Sequence, residues 1–346
     1  MIKKMFTTLT LLLLIGAAVA YWGYQRVLAL PEQSLGVSEP SVLEVPRGTS
    51  AYQLALILEQ RGWIDDSRWL RALFKLRPEL TALKAGEYQV MAEDRLIDLL
   101  ERINRGEAIQ YRVTLIEGST VPEMLRSLRQ TDVLKSELQA QSAVELAAEL
   151  ELAHSSAEGL FLAETYQFER GMSDRDLLLR AHQMLLDVLD KHWQSRDPDL
   201  PLKSPYEALT LASIIEKETG LSSERPDIAG VFIRRLNLGM RLQTDPTVIY
   251  GMGERYNGNL TRKDLREKTD FNTYVIKGLP PTPIATVGEE AILAALNPAD
   301  GTALFFVAKG DGSHQFSDTL EAHNRAVREY QLKRRQDYRS SPEAKK

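Results

Sequence analysis

The side chain with the clearest chemical potential in this chain is Glu218. It lies in the stretch Tyr-Glu-Ala-Leu-Thr-Leu-Ala-Ser-Ile-Ile-Glu-Lys-Glu-Thr-Gly, residues 206–220. On a helix, Leu211, Ile214 and Ile215 form an apolar ridge that Glu218 continues. A carboxyl on an apolar face is costly to ionise, so it finds a partner or stays protonated. A carboxyl protonated near neutral pH is a general acid, able to hand its proton to a leaving oxygen. The same spacing also suits a plainer arrangement, a solvated glutamate at a frayed helix end. Glu216 lies two residues away and points elsewhere, so Glu216→Gln is expected to matter little.

Other residues in the second half suit contact with a sugar polymer. Gln243, Thr244 and Asp245 lie in a stretch too apolar for a solvated loop and too broken for a regular element, and such segments often line sites. Asn272 and Tyr274 sit in a second stretch of this kind, and 278–283 is a third, with its backbone fixed by prolines. Ordinary glycosidases pair their acid with a second carboxylate. Asp245 is the candidate, although an Asx-type turn before Pro246 fits it equally. The chain has no cysteine and five scattered histidines without an HExxH pair, so no metal or cofactor is expected.

Several elements must position these groups. The 206–220 helix opens next to Pro205, and Gly220 is expected to stop it in the left-handed conformation. A long amphipathic helix is predicted over 173–193, capped by Ser173 or Asp174, and further helices over 226–238 and 287–297. Residues 304–308 and 314–316 form a hairpin about Lys309-Gly310-Asp311-Gly312, and a last helix starts near Thr319. Residues 130–154, rich in Ala, Glu and Leu, are expected to be helical. Glu158 to Phe168 is a short non-periodic stretch of aromatics and two acids. In the first half, strand, Gly-Ser/Thr turn and helix occur twice, at 42–58 and 111–128. Together with the strand 83–90 and the helix 94–104, the first copy resembles a LysM-type glycan-binding module, and an ordinary α+β subdomain reads equally well.

The fold class is therefore α+β: a small LysM-like subdomain over 41–108 and a larger mixed catalytic domain over 109–332. A basic tail, 333–346, is expected to be disordered. The 346 residues are 43% hydrophobic and 26% charged, with a net charge of −5 and a pI near 5.7, which argues against nucleic acid as a partner. Residues 5–24 are uncharged and long enough to span a bilayer. Lys3 and Lys4 precede them, and Tyr21, Trp22 and Tyr24 close them as an aromatic belt. This predicts a cytoplasmic tail (1–4), a membrane anchor, a linker (25–40) and an exported bulk. A cleaved signal peptide ending at Ala18-Val19-Ala20 is the alternative.

Five motifs carry a resemblance. Ala212–Thr219, Arg241–Val248, Asn272-Thr273-Tyr274, Gly278-Leu279-Pro280-Pro281 and Gly312–Phe316 are similar, in this order, to motifs of the endolytic murein transglycosylases, or YceG-like family. The resemblance runs from the N-terminal anchor to about Tyr330. It implies an inner-membrane protein with a single pass, a LysM-like part and a periplasmic catalytic domain. It also implies cleavage within peptidoglycan strands between N-acetylmuramic acid and N-acetylglucosamine, leaving a 1,6-anhydro-muramyl end. The family's catalytic glutamate falls on Glu218, acid first and then base. Glu164, Tyr166, Gln243, Thr244, Asp245, Asn272, Tyr274, His314 and Asn324 are the expected substrate contacts, and peptidoglycan synthases are possible partners. Ala163-Glu164 and Phe271 depart from the Pro-Asp and Tyr usual in the family. The rival readings are a muramidase using Glu218 and Asp245, which would leave reducing ends, and a non-catalytic wall-binding scaffold.

Overall fold

The computed structural model describes residues 2–332, so the basic tail 333–346 lies outside the described residues. The chain is mixed α+β and forms two compact units. One comprises Met1–Tyr111 and Gln167–Gly171, the other Arg112–Tyr166 and the chain from Met172 onward.

The first unit opens with α1 (Ile2–Ala29). The helical span Lys4–Glu32 contains an 18-residue stretch with a mean hydropathy of 1.8 and is long and apolar enough to cross a membrane. Its large apolar side chains from Met5 to Val19 are exposed, which suits an anchor or a signal sequence. Trp22 meets Trp69 edge-on at 5.9 Å, tying the end of the helix to this unit. Residues 25–40, expected as a linker, are built into the fold instead. The helix continues to Ala29, a 3-10 turn follows at Leu30–Glu32, and Val27, Leu30, Leu35 and Val37 enter the core. Their spacing follows a tight turn and extended backbone, so it carries no helical period to be read.

The strands β1 (Ser41–Val45) and β2 (Gly86–Val90) pair antiparallel, Leu43 opposite Tyr88. They bracket α2 (Ala51–Gln60) and α3 (Ser67–Leu76), and α4 (Leu96–Arg105) follows. In β1 the side chains alternate, with Leu43 and Val45 buried and Val42 and Glu44 outward, the period of a half-buried strand. A Ser50–Gln53 capping box starts α2, satisfying otherwise unpaired N–H groups. The unit extends past residue 108. Its Glu87 is buried and accepts from Tyr111 Oη at 2.6 Å, and pairs with Arg170 at 2.6 Å.

The chain passes between the units in β3 (Tyr111–Thr114) and β4 (Thr165–Phe168). The second unit contains α5 (Val121–Arg129), α6 (Ala143–Glu149), α7 (Asp174–Gln194), α8 (Pro205–Glu218), α9 (Arg225–Asn237), α10 (Asp245–Met252) and α11 (Glu289–Leu296). The hairpin β5 (Phe305–Ala308) and β6 (His314–Ser317) and helix α12 (Leu320–Val327) complete it. Helix α8 is its axis, packed against α7, α9, α10 and α11. Leu209, Leu211, Ile214 and Ile215 share a core with Ile228 and Phe232 of α9 and Ile292 of α11. Burying each such side chain contributes about 1.5–3 kcal/mol. Ala212, Ala291 and Ala295 are fully buried in the same core, so a larger residue at 212 would cost about 1–3 kcal/mol by overpacking.

Two expectations fail here. Of residues 130–154, only α6 is an α-helix. Asp174 accepts from the backbone N–H groups of Glu137 and Leu138, and Glu149 from those of Gln139 and Ala140. These acids satisfy the backbone of a segment that is not helical. Gly220 is not the helix stop. Helix α8 ends at Glu218, with Thr219 extended at φ −143° and ψ 135° and its N–H still bonded to Ile215. A buried β-branched residue favours that extended conformation.

Candidate active site

Helix α8 begins cleanly: Ser204 caps it by accepting from Glu207 N–H, and Pro205 occupies the first turn, where its missing N–H costs nothing. Fourteen residues later it delivers Glu218 as its last residue. The predicted ridge is real, with Leu211, Ile214 and Ile215 fully buried. Burial pushes the Glu218 carboxyl up to about 7. The hydroxyl of Thr244 donates to Oε1 and opposes that rise, the charge of Asp245 adds to it, and the Arg235 guanidinium again opposes it. The outcome is a carboxyl that holds its proton near neutrality.

The groups around Glu218 sit in a frame of threonines. Thr244 N–H donates to Thr273 Oγ1 at 3.0 Å, and Thr247 Oγ1 donates to the Thr244 carbonyl at 2.8 Å. Gln243 N–H donates to the Thr273 carbonyl at 3.2 Å. Gln243 itself is exposed and has φ +52°, an uncommon and mildly strained conformation for a residue with a Cβ. Asn272 is fully buried. Its amide donates to the carbonyls of Asp264 and Glu267, and its oxygen accepts from Tyr274 N–H. Its hydrogen-bonding capacity therefore goes to shaping this loop.

Asp245 and Pro246 are the first two residues of α10, where an acid and a proline both suit the helix start. Asp245 Oδ1 accepts from Tyr274 Oη at 2.7 Å. Burial, then this bond, push the Tyr274 phenol up, so it remains a donor. A cleft of about 380 Å³ opens at the end of α8. Glu117 and Gly118 form one part of its lining, residues 216–220 another, and Gly312 and His314 of the hairpin a third. Gly312 has φ +91°, a turn conformation that favours glycine, and it brings the chain round to His314. His314 is held twice by Glu224: its backbone N–H donates to Oε1 at 2.9 Å, and ring Nδ1 lies 2.8 Å from Oε2.

The expected contacts thus divide. Glu218, Thr244, Asp245, Tyr274 and Gln243 are brought together by hydrogen bonds or adjacency, with Asn272 supporting them, and His314 shares the cleft lining with Glu218. Glu164 is exposed, and its carboxylate accepts from the N–H of Thr165. Tyr166 is buried, its hydroxyl donating to the Leu162 carbonyl at 2.7 Å. Asn324 is exposed on α12 and is not part of the cleft lining. Its neighbour His323 faces inward and stacks on Phe305 at 5.2 Å.

Glu216 requires a correction. Its side chain is 3% exposed and pairs with Arg225 at 2.8 Å, while Oε2 accepts from Gly288 N–H at the start of α11. Burial pushes its carboxyl up; Gly288 and Arg225 oppose that. The last turn of α8 is enclosed on more than one side, so a residue off the ridge is also buried, and Glu216→Gln is no longer a neutral change.

Sequence reasoning missed Arg235, Glu224 and Glu158. Arg235 had the same signal as Glu218. It follows Ile228, Val231 and Phe232 on one face of α9 and is buried, its guanidinium donating to the carbonyls of Leu304 and Leu242. Glu224 had no local signal, because its partner lies on a hairpin far along the chain. Glu158 is buried and its carboxyl pushed up to about 7 by desolvation. It accepts from Val121 N–H at the start of α5 and from Tyr250 Oη. Among the described residues no group of three or more His, Asp or Glu side chains could hold a metal ion.

A family model described as the YceG-like family matches residues 43–329. A curated relative from Bacillus subtilis (strain 168), an endolytic murein transglycosylase, is 27% identical over 308 residues, 83% of this chain and 84% of its own length. A relative of the same name from Streptococcus pneumoniae serotype 2 is 25% identical, with 95% of this chain and 65% of the relative aligned. The solved structure of a yceG-like protein from Listeria monocytogenes matches with a TM-score of 0.50 at 29% identity. That match covers 84% of this chain and 99% of the other.

Proposed function

The chain belongs to the YceG-like family, and from that premise we propose that it is an endolytic murein transglycosylase, held in the inner membrane by α1 with its second unit in the periplasm. It cuts glycan strands of peptidoglycan between N-acetylmuramic acid and N-acetylglucosamine and leaves a 1,6-anhydro-muramyl end. The names of its relatives support the substrate. The observation that carries the chemistry is Glu218, a carboxyl with a pKa pushed up to about 7 in the lining of a cleft.

In this reading Glu218 protonates the glycosidic oxygen as the bond to C1 breaks. Its carboxylate then takes the proton of the C6 hydroxyl as that oxygen closes on C1. One group serves as acid and then as base, so no second free carboxylate is required. Asp245 is bonded to Tyr274 and acts on the charge state of Glu218. Gln243, Thr244, Tyr274 and His314 are the contacts best supported by their positions, and Glu164, Tyr166, Asn272 and Asn324 would act through the segments they belong to. The proposal extends to a LysM-like role for residues 41–108, whose order of strand, two helices and strand fits such a module, and to synthase partners in the membrane.

The test is mass spectrometry of peptidoglycan strands digested by the full-length protein in detergent. Anhydro-muramyl ends are expected from the wild type, and none from Glu218→Gln, whose amide keeps the shape without a transferable proton. Reducing ends, or retained cleavage by the variant, would sink the assignment.

A further inference from the structure

The His314–Glu224 pair has no part in the proton transfers assigned to Glu218, yet its geometry is that of a held base. Glu224 comes from the short 3-10 turn Ser222–Glu224 just before α9, and His314 is the first residue of β6. The carboxylate accepts from both the backbone N–H and Nδ1 of His314, at 2.9 and 2.8 Å. Phe306 meets the ring edge-on at 5.5 Å, so the plane of the ring is fixed as well. A carboxylate at Nδ1 keeps the proton on that nitrogen and leaves Nε2 with its lone pair. Nε2 makes no hydrogen bond among the described residues, and His314 is part of the cleft lining that contains Glu218. A base positioned by a third group is the arrangement by which side chains accept a proton during catalysis.

The sugar whose bond is cut carries a 2-acetamido group beside C1. We infer that His314, held by Glu224, is a further catalytic residue that receives the acetamido N–H proton through Nε2, so that the acetamido oxygen can act as an internal nucleophile. This rests on the transglycosylase reading above. In the first step the acetamido oxygen bonds to C1 and the C1–O4 bond breaks. O4 takes the proton of Glu218, and the amide proton passes to His314, leaving a neutral oxazoline and an imidazolium paired with Glu224. In the second step the C6 oxygen bonds to C1 and the bond from C1 to the acetamido oxygen breaks. The C6 hydroxyl proton goes to the Glu218 carboxylate, and His314 returns its proton to the acetamido nitrogen. Both side chains end as they began.

The experiment compares the full-length wild type with His314→Asn on ordinary strands and on strands whose 2-acetamido groups have been removed. Asparagine can still donate to Glu224 but has no base at the Nε2 position. On acetylated strands kcat is expected to fall about 100-fold, the lower range for a lost acid–base group, with KM within about 3-fold of the wild type. On deacetylated strands the deficit of His314→Asn is expected to shrink to no more than the few-fold loss of a substrate contact, because the group on which His314 acts as a base is gone. An equal loss on both substrates, or no loss on either, overturns the role. If His314→Asn melts below the wild type, Glu224→Gln carries the same comparison, since its amide oxygen accepts from Nδ1 but holds no charge against an imidazolium. A drop of about tenfold, confined to acetylated strands, is expected of it, and a drop on both overturns the role. A wild type that leaves no anhydro ends would instead overturn the underlying reading, before any variant is compared.

Discussion

Thr244→Val removes the hydroxyl that, among the described residues, donates to Glu218 while keeping nearly the same shape at a buried position. That bond favours the ionised carboxylate and so holds the Glu218 pKa below what burial alone would give. A hydrogen bond to a charged acceptor contributes about 1.5–3 kcal/mol, and one pKa unit corresponds to about 1.36 kcal/mol. The threonine hydroxyl can also accept from the protonated acid, so the difference between the two states lies at the low end, about one unit. The general acid works only while protonated, so the wild-type rate falls as pH rises through about 7. In Thr244→Val the fall should centre near pH 8, leaving roughly half the plateau rate at that pH against roughly a tenth for the wild type. The assay is kcat/KM for release of anhydro ends between pH 5 and 9, with Thr244→Ser as the control that keeps the hydroxyl. A fall at the same pH or lower in a variant of unchanged melting temperature would refute the assignment of Glu218 as the titrating acid.

Further outcomes follow from the same geometry. Asp245→Asn removes a charge that pushes the Glu218 pKa up, so the fall in rate should move to lower pH with kcat within a few-fold. A loss of 100-fold or more would instead favour the muramidase with Asp245 as base. Glu218 is raised from an ordinary 4.5 to about 7 in the folded chain, so its contribution to stability is complete below pH 4.5 and is lost as pH rises through 7. The difference amounts to about 3 kcal/mol at most, and Glu218→Gln should melt above the wild type at pH 8 but not at pH 4.5. Glu216→Gln should lower stability by about 1–3 kcal/mol in denaturant titration, since it removes the buried one of the two carboxylates that pair with Arg225, Glu290 being the other; an unchanged midpoint would refute the structural role of that ion pair.

Much of this protein was legible along the chain. The apolar span at the N-terminus, the ridge ending at Glu218, the Ser173 and Thr319 caps and the β5–β6 hairpin are local patterns, each set by residues within a turn or two of one another. What misled were residues whose partners are remote. The Ala, Glu and Leu of 130–154 read as a helix, yet Glu149, with Asp174 of α7, binds backbone N–H groups of residues 137–140. Glu216 read as a residue of little consequence because helix periodicity describes one buried face, whereas the end of α8 is enclosed by Arg225 and by the start of α11.

The sequence by itself decided that Glu218 would lie on an apolar ridge, because helical geometry alone converts spacing into a face. The tertiary structure decided what that carboxyl would be. Besides desolvation, the Thr244 hydroxyl and the Asp245 charge come from one stretch of chain and the Arg235 guanidinium from another, and all act through space. The His314–Glu224 pair joins positions ninety residues apart. Spacing along a chain fixes direction on a helix, but proton affinity depends on every group that packing brings near, and only the folded chain specifies those.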